Sequence, residues 1–310
     1  MKKRILITGA LGHIGSQFVH GIKPGQYDEV VMLDNLSTQR YASLFDLPKG
    51  VKFKFIEGDI YKTDLEQYLK GIDVVIHLAA ITNAAGSFDM QDQVEKVNYD
   101  GTIRVAEACL KTGSKLIFLS TTSVYGTQEE VVDENCSEDE LKPQSPYADS
   151  KLRSEKKLVE MGKQGLKFIA CRFGTIFGTS IGMRFHTAVN KFCWQSVMGQ
   201  PITVWRTAMD QKRPYLELND GCRALQFIID KDMFDGQVYN VLTANTTVAE
   251  IVAEIKKYIP DLRVELVNTK IMNQLSYTVA CEKFKAKGFV FKGDIGSGIK
   301  DTLKKLNVNV

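Results

Sequence analysis

The chain has little of what would tie it to a metal, a disulfide framework, a membrane or a polyanion. Its six cysteines, at 109, 136, 171, 193, 222 and 281, include no Cys-x-x-Cys pair. In a chain of 310 residues that argues against a zinc site or a disulfide scaffold and for reduced thiols. The four histidines, 13, 20, 77 and 186, lack metal-ligand spacing, so hydrogen-bonded structural roles are expected and a metal is not. No apolar run approaches the ~20 residues that a membrane-spanning helix needs. Met1-Lys2-Lys3-Arg4 followed by Ile5-Leu6-Ile7 imitates the start of a signal peptide, but the run stops at Thr8-Gly9. Forty Lys and Arg against 37 Asp and Glu leave a net charge of +3, too near balance to suggest nucleic acid or an anionic membrane as partner. The expectation is a cytoplasmic protein.

Short apolar runs alternate with amphipathic segments through the first half. Strands are expected at 4–8, 29–34, 51–56, 73–79, 115–120 and 167–172, several of them nearly continuous apolar runs suited to strands covered on both faces. Helices are expected near 13–22, 63–70, 90–112 and 147–163. This alternation predicts an α/β fold on a doubly wound parallel sheet. After residue 175 the rhythm changes. A helix is expected over 185–198, short strands at 201–205 and 263–267, and a strand at Val238–Val241 that could rejoin the main sheet; Val248, Ile251, Val252, Ile255 and Ile259 mark one face of a further helix. A smaller, interleaved C-terminal lobe follows from this. The acidic stretch 128–146 reads as a solvated connection.

Strand 4–8 runs into Gly9-x-x-Gly12-x-x-Gly15 and then a helix. Glycine permits positive φ and a close backbone approach to phosphate, and a helix N-terminus offers free N–H groups and a favourable dipole to a diphosphate. Asp34, nineteen residues past Gly15, ends the second strand, where a carboxylate can accept hydrogen bonds from ribose hydroxyls and repel a 2′-phosphate. The cofactor expected is therefore NAD, with Arg40 nearby as the one residue that pulls towards NADP. Asp59, closing the third strand, is placed to meet an adenine.

Ser145-Pro146-Tyr147-Ala148-Asp149-Ser150-Lys151 holds a second signal. A phenol titrates near about 10 in water, so it needs a cation to act as a base near neutrality. Tyr147 and Lys151 are one helical turn apart and share a face, with Pro146 suited to the helix start. Lys151 is expected to lower the tyrosine pKa. Strand 115–120 ends in Ser120-Thr121-Thr122-Ser123-Val124-Tyr125-Gly126, and hydroxyls at the carboxyl end of a parallel strand face the same crevice as the glycine turn.

Together these motifs resemble the extended short-chain dehydrogenases/reductases, specifically the NAD-dependent sugar-nucleotide epimerases and dehydratases, over nearly the whole chain. The resemblance implies an NAD-binding Rossmann domain over 1–174 plus about 214–245, and a nucleotide-sugar-binding lobe from 175–213 and 246–310. It implies cofactor contacts from Gly9, Gly12, His13, Ile14 and Gly15, from Asp34 and Asn35, from Asp59 and Ile60, and from Leu78, Ala79 and Ala80 in His77-Leu78-Ala79-Ala80. Asn98, also implied as a cofactor contact, falls on the family asparagine that supports the active-site helix. Thr121, Tyr147 and Lys151 match the catalytic set, the last two also touching the cofactor. Arg213 in Arg213-Pro214-Tyr215 is similar to the family arginine that grips the substrate diphosphate. Thr82, Thr122, Ser123, Thr175, Arg184, Trp205 and Lys270 complete the implied substrate contacts. Helices 90–112 and 147–163 resemble the family's dimer-forming pair, so a homodimer is implied.

Departures from the family pattern order the possible reactions. Dehydratases of the family place Asp-Glu after the catalytic threonine and decarboxylases Ser-Glu; this chain has Thr122-Ser123. Without that carboxylate, 4,6-dehydration and decarboxylation rank low. A nucleotide-sugar 4-epimerase ranks first and a net 4-dehydrogenase, for example on a GDP-heptose, second; a non-catalytic NAD(H) sensor ranks last because the catalytic set is complete. Thr175 stands where many members carry asparagine, and the segment 182–195 is atypical, which points to an unusual substrate. Trp205 could stack on a nucleobase, whereas Trp194, Tyr99, Tyr125 and Tyr215 are expected in packing.

Overall fold

Ile5, Ile7, Val30, Met32, Val74 and Ile76 pack in one apolar cluster, while Leu6, Val31, Leu33 and Val75 pack in another. Successive side chains of a strand point to opposite faces, so this division means that the strands are covered on both sides. The computed structural model describes residues 2–126, 131–268 and 276–306. The central sheet is formed by β1 (Arg4–Thr8), β2 (Glu29–Asp34), β3 (Phe53–Glu57), β4 (Val74–His77) and β5 (Lys115–Thr121). After a short β6 (Val131–Val132), β7 (Phe168–Phe173) rejoins it; β8 (Thr175–Phe177), β9 (Ile202–Trp205) and β10 (Lys212–Glu217) lie elsewhere, and β11 (Val238–Val241) completes it. The order is β11-β7-β5-β4-β1-β2-β3 and every pairing is parallel. The chain therefore leaves β1 towards β3 on one side and returns to β4 on the other, and that reversal opens a crevice at the carboxyl ends of β1 and β4.

Helices α1 (His13–His20) and α7 (Leu218–Lys231) cover the first face, burying Phe18, Val19, Leu225 and Ile228. The second face is covered by α2 (Leu65–Leu69), α4 (Gly101–Thr112) and α5 (Pro146–Gly162), through Leu65, Leu69, Val105, Cys109, Leu158 and Met161. Each fully buried aliphatic of this kind contributes about 1.5–3 kcal/mol. The expected helix over 90–112 is divided. It comprises α3 (Gln91–Val94), a wide π turn over Glu95–Asp100, and α4. The buried Asn98 sits in the π turn, with its side chain bonded to the loop after β4. The extra residue of a π turn re-aims a side chain in this way.

The second lobe has its own core. Phe177, Val189, Phe192, Ile202, Tyr215, Val248, Ile251, Ile255, Ile299 and Leu303 gather there, from β8, β9, β10, α6 (Ala188–Val197), α8 (Val248–Lys256) and α10 (Ile295–Lys305). β10 pairs with β8 and with β12 (Ala244–Thr247), so residues 214 and 245, expected as limits of the returning segment, both fall inside strands of a separate sheet. β13 (Val264–Val267) pairs with β9, and β14 (Thr278–Val279) with β6; the stretch 128–146 is thus not wholly a loop. Between β14 and α10 lies the short α9 (Glu282–Lys285). Trp194, expected in the core, is 38% exposed on α6 and contacts Phe185 at 5.1 Å between ring centres.

Candidate active site

A cleft of about 720 Å³ lies at the crevice and runs from the glycine turn to Tyr147. Gly9 has φ +64°, and a Cβ there would lie 2.7 Å from the Ala79 nitrogen; glycine is what lets the turn and the β4 loop close together. Gly12 is the N-cap of α1 and provides no side-chain cap, so the first turn of that helix faces the cleft with its N–H groups available to an anion. A Cβ on Gly12 would lie 3.1 Å from the Gly9 carbonyl oxygen and 3.9 Å from Arg40 Nη1. This is a cradle that any side chain would fill, which fits a dinucleotide diphosphate.

The Asp34 carboxylate accepts from Leu11 N and Leu36 N, each at 3.0 Å, and is thereby fixed at the cleft edge. Asn35 Nδ2 donates to Asp59 Oδ2 at 3.0 Å and Tyr61 N donates to Asp59 Oδ1 at 2.8 Å. Asp34, Asn35, Asp59 and Ile60 all line the same end of the cleft. Behind it, Thr8 Oγ1 meets His77 Nδ1 at 2.8 Å and His77 Nε2 meets Thr102 Oγ1 at 3.0 Å. Burial, reinforced by the Lys151 charge, pushes the His77 pKa down to about 3, so the ring is a neutral relay. Asn98 lies outside the cleft lining. Its amide accepts from Ile81 N at 2.8 Å and donates to Ile81 O at 2.9 Å, while its backbone oxygen accepts from Ser154 Oγ on α5 at 3.5 Å. It ties the loop carrying Leu78, Ala79, Ala80 and Thr82 to the helix carrying Tyr147.

The reacting end is assembled from β5 and α5. Ser145 caps α5 by accepting from Ala148 N at 3.1 Å, with Pro146 in the first turn. That start presents Tyr147 and Lys151 to the cleft beside Thr121, whose Oγ1 donates to Ser123 Oγ at 3.2 Å. Burial raises the Tyr147 pKa, opposed first by the charge of Arg184 and then by Thr121. Lys151 lines the same cleft as Tyr147. Its Nζ lies 4.8 Å from the centre of the Phe118 ring, and burial, partly countered by Glu155, lowers its pKa to about 7. Arg184 lines the cleft with Tyr147, and its charge is the first that opposes the rise in the phenol's pKa. Arg184 Nη1 donates to Thr82 Oγ1.

Ser123, Thr175, Trp205 and Arg213 line the rest of the cleft beyond Tyr147. Thr122 does not: its Oγ1 is buried and donates to Phe173 O at 3.4 Å. Lys270 lies outside the described residues. Tyr277 escaped sequence reading because it belongs to no local motif. It is buried and packs in one apolar cluster with Val124 and Tyr125, bracing the hydroxyl turn from behind. His186 lines the cleft as well; burial first, then Arg184 and Arg40, hold its pKa down to about 4. Among the described residues lining the cleft, the carboxylates are Asp34 and Asp59. Asp34 ends β2 and Asp59 follows β3, whereas Thr121 ends β5, three strands from β2; at ~4.8 Å per strand that is about 14 Å. Among the described residues no group of three His, Cys, Asp or Glu could hold a metal, and no helix is long and apolar enough to cross a membrane.

The fold and cleft define a dinucleotide-binding α/β enzyme. The chain belongs to the NAD dependent epimerase/dehydratase family, whose sequence pattern matches residues 5–241. A trifunctional UDP-glucose 4,6-dehydratase/UDP-4-keto-6-deoxy-D-glucose 3,5-epimerase/UDP-4-keto-L-rhamnose-reductase of Arabidopsis thaliana is 30% identical over 315 residues, covering 97% of this chain and 46% of that protein. The chain thus spans about half the length of the first curated relatives it matches. Among solved structures, the UDP-N-acetylglucosamine 4-epimerase of Methanobrevibacter ruminantium M1, in complex with UDP-N-acetylmuramic acid, is 25% identical with a TM-score of 0.86 over 98% of both chains. The UDP-glucuronic acid 4-epimerase of Bacillus cereus, in complex with UDP-glucuronic acid and NAD, is 25% identical with a TM-score of 0.87, covering 98% of this chain and 99% of that one. The enzyme is NAD-dependent.

Proposed function

We propose that the protein oxidises a hydroxyl of a nucleotide-diphosphate sugar, at C4, as a nucleotide-sugar 4-epimerase. The observation that carries this reading is that Thr121, Tyr147 and Lys151 line the same cleft as the glycine turn. Gly9, Gly12 and the first turn of α1 would hold the cofactor diphosphate, Asp34 a ribose, and Asn35, Asp59 and Ile60 the adenine end. NAD, when bound, would accept hydride from the carbinol carbon and return it to the opposite face of the resulting ketone, so that the cofactor is regenerated and C4 is inverted. Tyr147 would remove the hydroxyl proton and give it back on reduction, Thr121 would orient that hydroxyl, and Lys151 would hold the nicotinamide-side ribose. Arg213 and Trp205 would take the sugar nucleotide's diphosphate and base.

The lining also supports the order of alternatives. A 4,6-dehydratase or decarboxylase needs an acid or base beside the sugar, and the described lining carboxylates stand about three strands away, at ~4.8 Å per strand. A net 4-dehydrogenase would use the same residues and differ only in releasing the keto sugar. Incubation with UDP- and GDP-sugars, followed by mass spectrometry and stereochemical analysis, separates these outcomes. Unchanged mass with inverted C4 supports the epimerase; loss of two mass units establishes the dehydrogenase instead; loss of water establishes a dehydratase. The reading includes a homodimer through α4 and α5 in the cytoplasm, which sedimentation and cell fractionation test.

A further inference from the structure

Between β8 and α6 the segment 178–187 lacks regular structure, yet it is pinned along its length. Asn190, fully buried in α6, accepts from Gly178 N at 3.1 Å and donates to Gly178 O and Arg184 O, each at 3.2 Å. Ser180 Oγ meets His13 Nδ1 at 2.7 Å. Gly182 N donates to the buried Ser16 Oγ at 3.0 Å. A Cβ on Gly182 would lie 2.4 Å from Leu11 O and 2.7 Å from Gly12 O, so the backbones of the segment and the glycine turn are in direct contact. Arg184 then reaches Thr82 on the loop after β4. One segment therefore joins the cofactor turn, α1, the β4 loop and the second lobe.

The anchors are polar and close to backbone, which is not what apolar packing alone requires. Three side-chain atoms on this path, His13 Nε2, Arg184 Nε and Thr187 Oγ1, are buried with no partner in the described protein, and all three residues line the cleft. A buried polar atom without a partner costs about 1–3 kcal/mol, and native proteins keep such groups where a ligand or water completes them.

We propose that residues 178–187 act as a positioning strap. Gripping α1 through Ser180 and Gly182, they hold the glycine turn in the shape that retains the dinucleotide, and through the same grip they set Arg184 beside Tyr147. Ser16, His13, Ser180 and Gly182 are positioning residues in this scheme. It rests on the cofactor and not on which sugar is turned over.

The test is NADH dissociation from the full-length protein, followed by loss of bound-NADH fluorescence on chasing with excess NAD, with no sugar nucleotide present. Ser180→Ala removes one hydroxyl contact and should speed dissociation about tenfold, the factor that one hydrogen bond of roughly 1.4 kcal/mol gives. Gly182→Ala, whose methyl meets backbone and cannot be swung aside, should speed it further. Ser180→Thr keeps the hydroxyl and should restore the rate to within about twofold of the parent. Unchanged dissociation in Ser180→Ala or Gly182→Ala, no recovery in Ser180→Thr, or dissociation that merely follows melting temperature overturns the strap. A wrong sugar assignment leaves this measurement untouched.

Discussion

The Lys151 ammonium faces the Phe118 ring, 4.8 Å from its centre, and is 3% exposed. Its folded pKa of about 7 lies below the usual lysine value of 10.5. Between those two values the unfolded chain holds one proton more than the folded chain, so this group makes stability rise with pH across that window. Below pH 7 both states carry the proton and the cost of burying the charge is fully present. In cofactor-free protein, the stability of the parent minus that of Lys151→Met should therefore climb from pH 7 to pH 10 in urea unfolding. A flat difference would mean that the ammonium is not desolvated as the structure has it.

Tyr147→Phe removes the base and should lower kcat by about 10²–10⁴-fold, with NADH binding retained. The pH profile carries a second expectation. A base works deprotonated, and burial raises the Tyr147 pKa while Arg184 and Thr121 oppose the rise. The rate should climb with pH, and Arg184→Met should move that limb to higher pH. A limb that stays in place removes Arg184 from the electrostatics of the phenol.

Gly9→Ala should destabilise the protein by about 1–3 kcal/mol and weaken NADH binding, because the added Cβ meets the backbone of Leu78 and Ala79 within 2.9 Å. Gly113→Ala is the control. It also has positive φ, +76°, but nothing lies within 4 Å of its Cβ, so it should carry conformational strain without loss of NADH affinity. Titration of NADH fluorescence distinguishes them; equal affinity in both variants refutes the close-approach argument.

Glu155 and Arg172 form a buried ion pair, with Arg172 Nη2 2.7 Å from Glu155 Oε2 and Nε bonded to both carboxylate oxygens. Arg172 also stacks over Tyr125 at 4.8 Å, next to the hydroxyl turn. Glu155→Gln strands a buried guanidinium and should cost about 3–5 kcal/mol, whereas Glu155→Met with Arg172→Met should recover most of it. Urea unfolding measures both. A cost below about 1 kcal/mol, the range of an exposed pair, would show that the pair is not desolvated.

Local chemistry was legible in the sequence where it repeats with a period or a fixed spacing. Apolar runs such as 4–8 and 29–34 had to be strands buried on both faces, because nothing polar interrupts them. The glycine spacing had to be a tight turn before a helix, and Tyr147 with Lys151 had to share one helical face. Helix 90–112 was legible as a helix but not as a broken one. The π turn exists because Asn98 bonds Ile81 across the fold, a contact that no local pattern records.

What the sequence determined by itself was the set of groups brought to the cleft: a phenol, an amine, a hydroxyl turn and a glycine cradle, each encoded within a few residues of backbone. What only the tertiary structure decided was which charge acts on which group. The spacing of one helical turn pairs Lys151 with Tyr147, but the folded chain seats that amine against Phe118 and adds Arg184, from the segment after β8, to the cleft that holds the phenol. Electrostatic influence depends on distance and desolvation in three dimensions, and neither is set until the segment 178–187 has packed against α1.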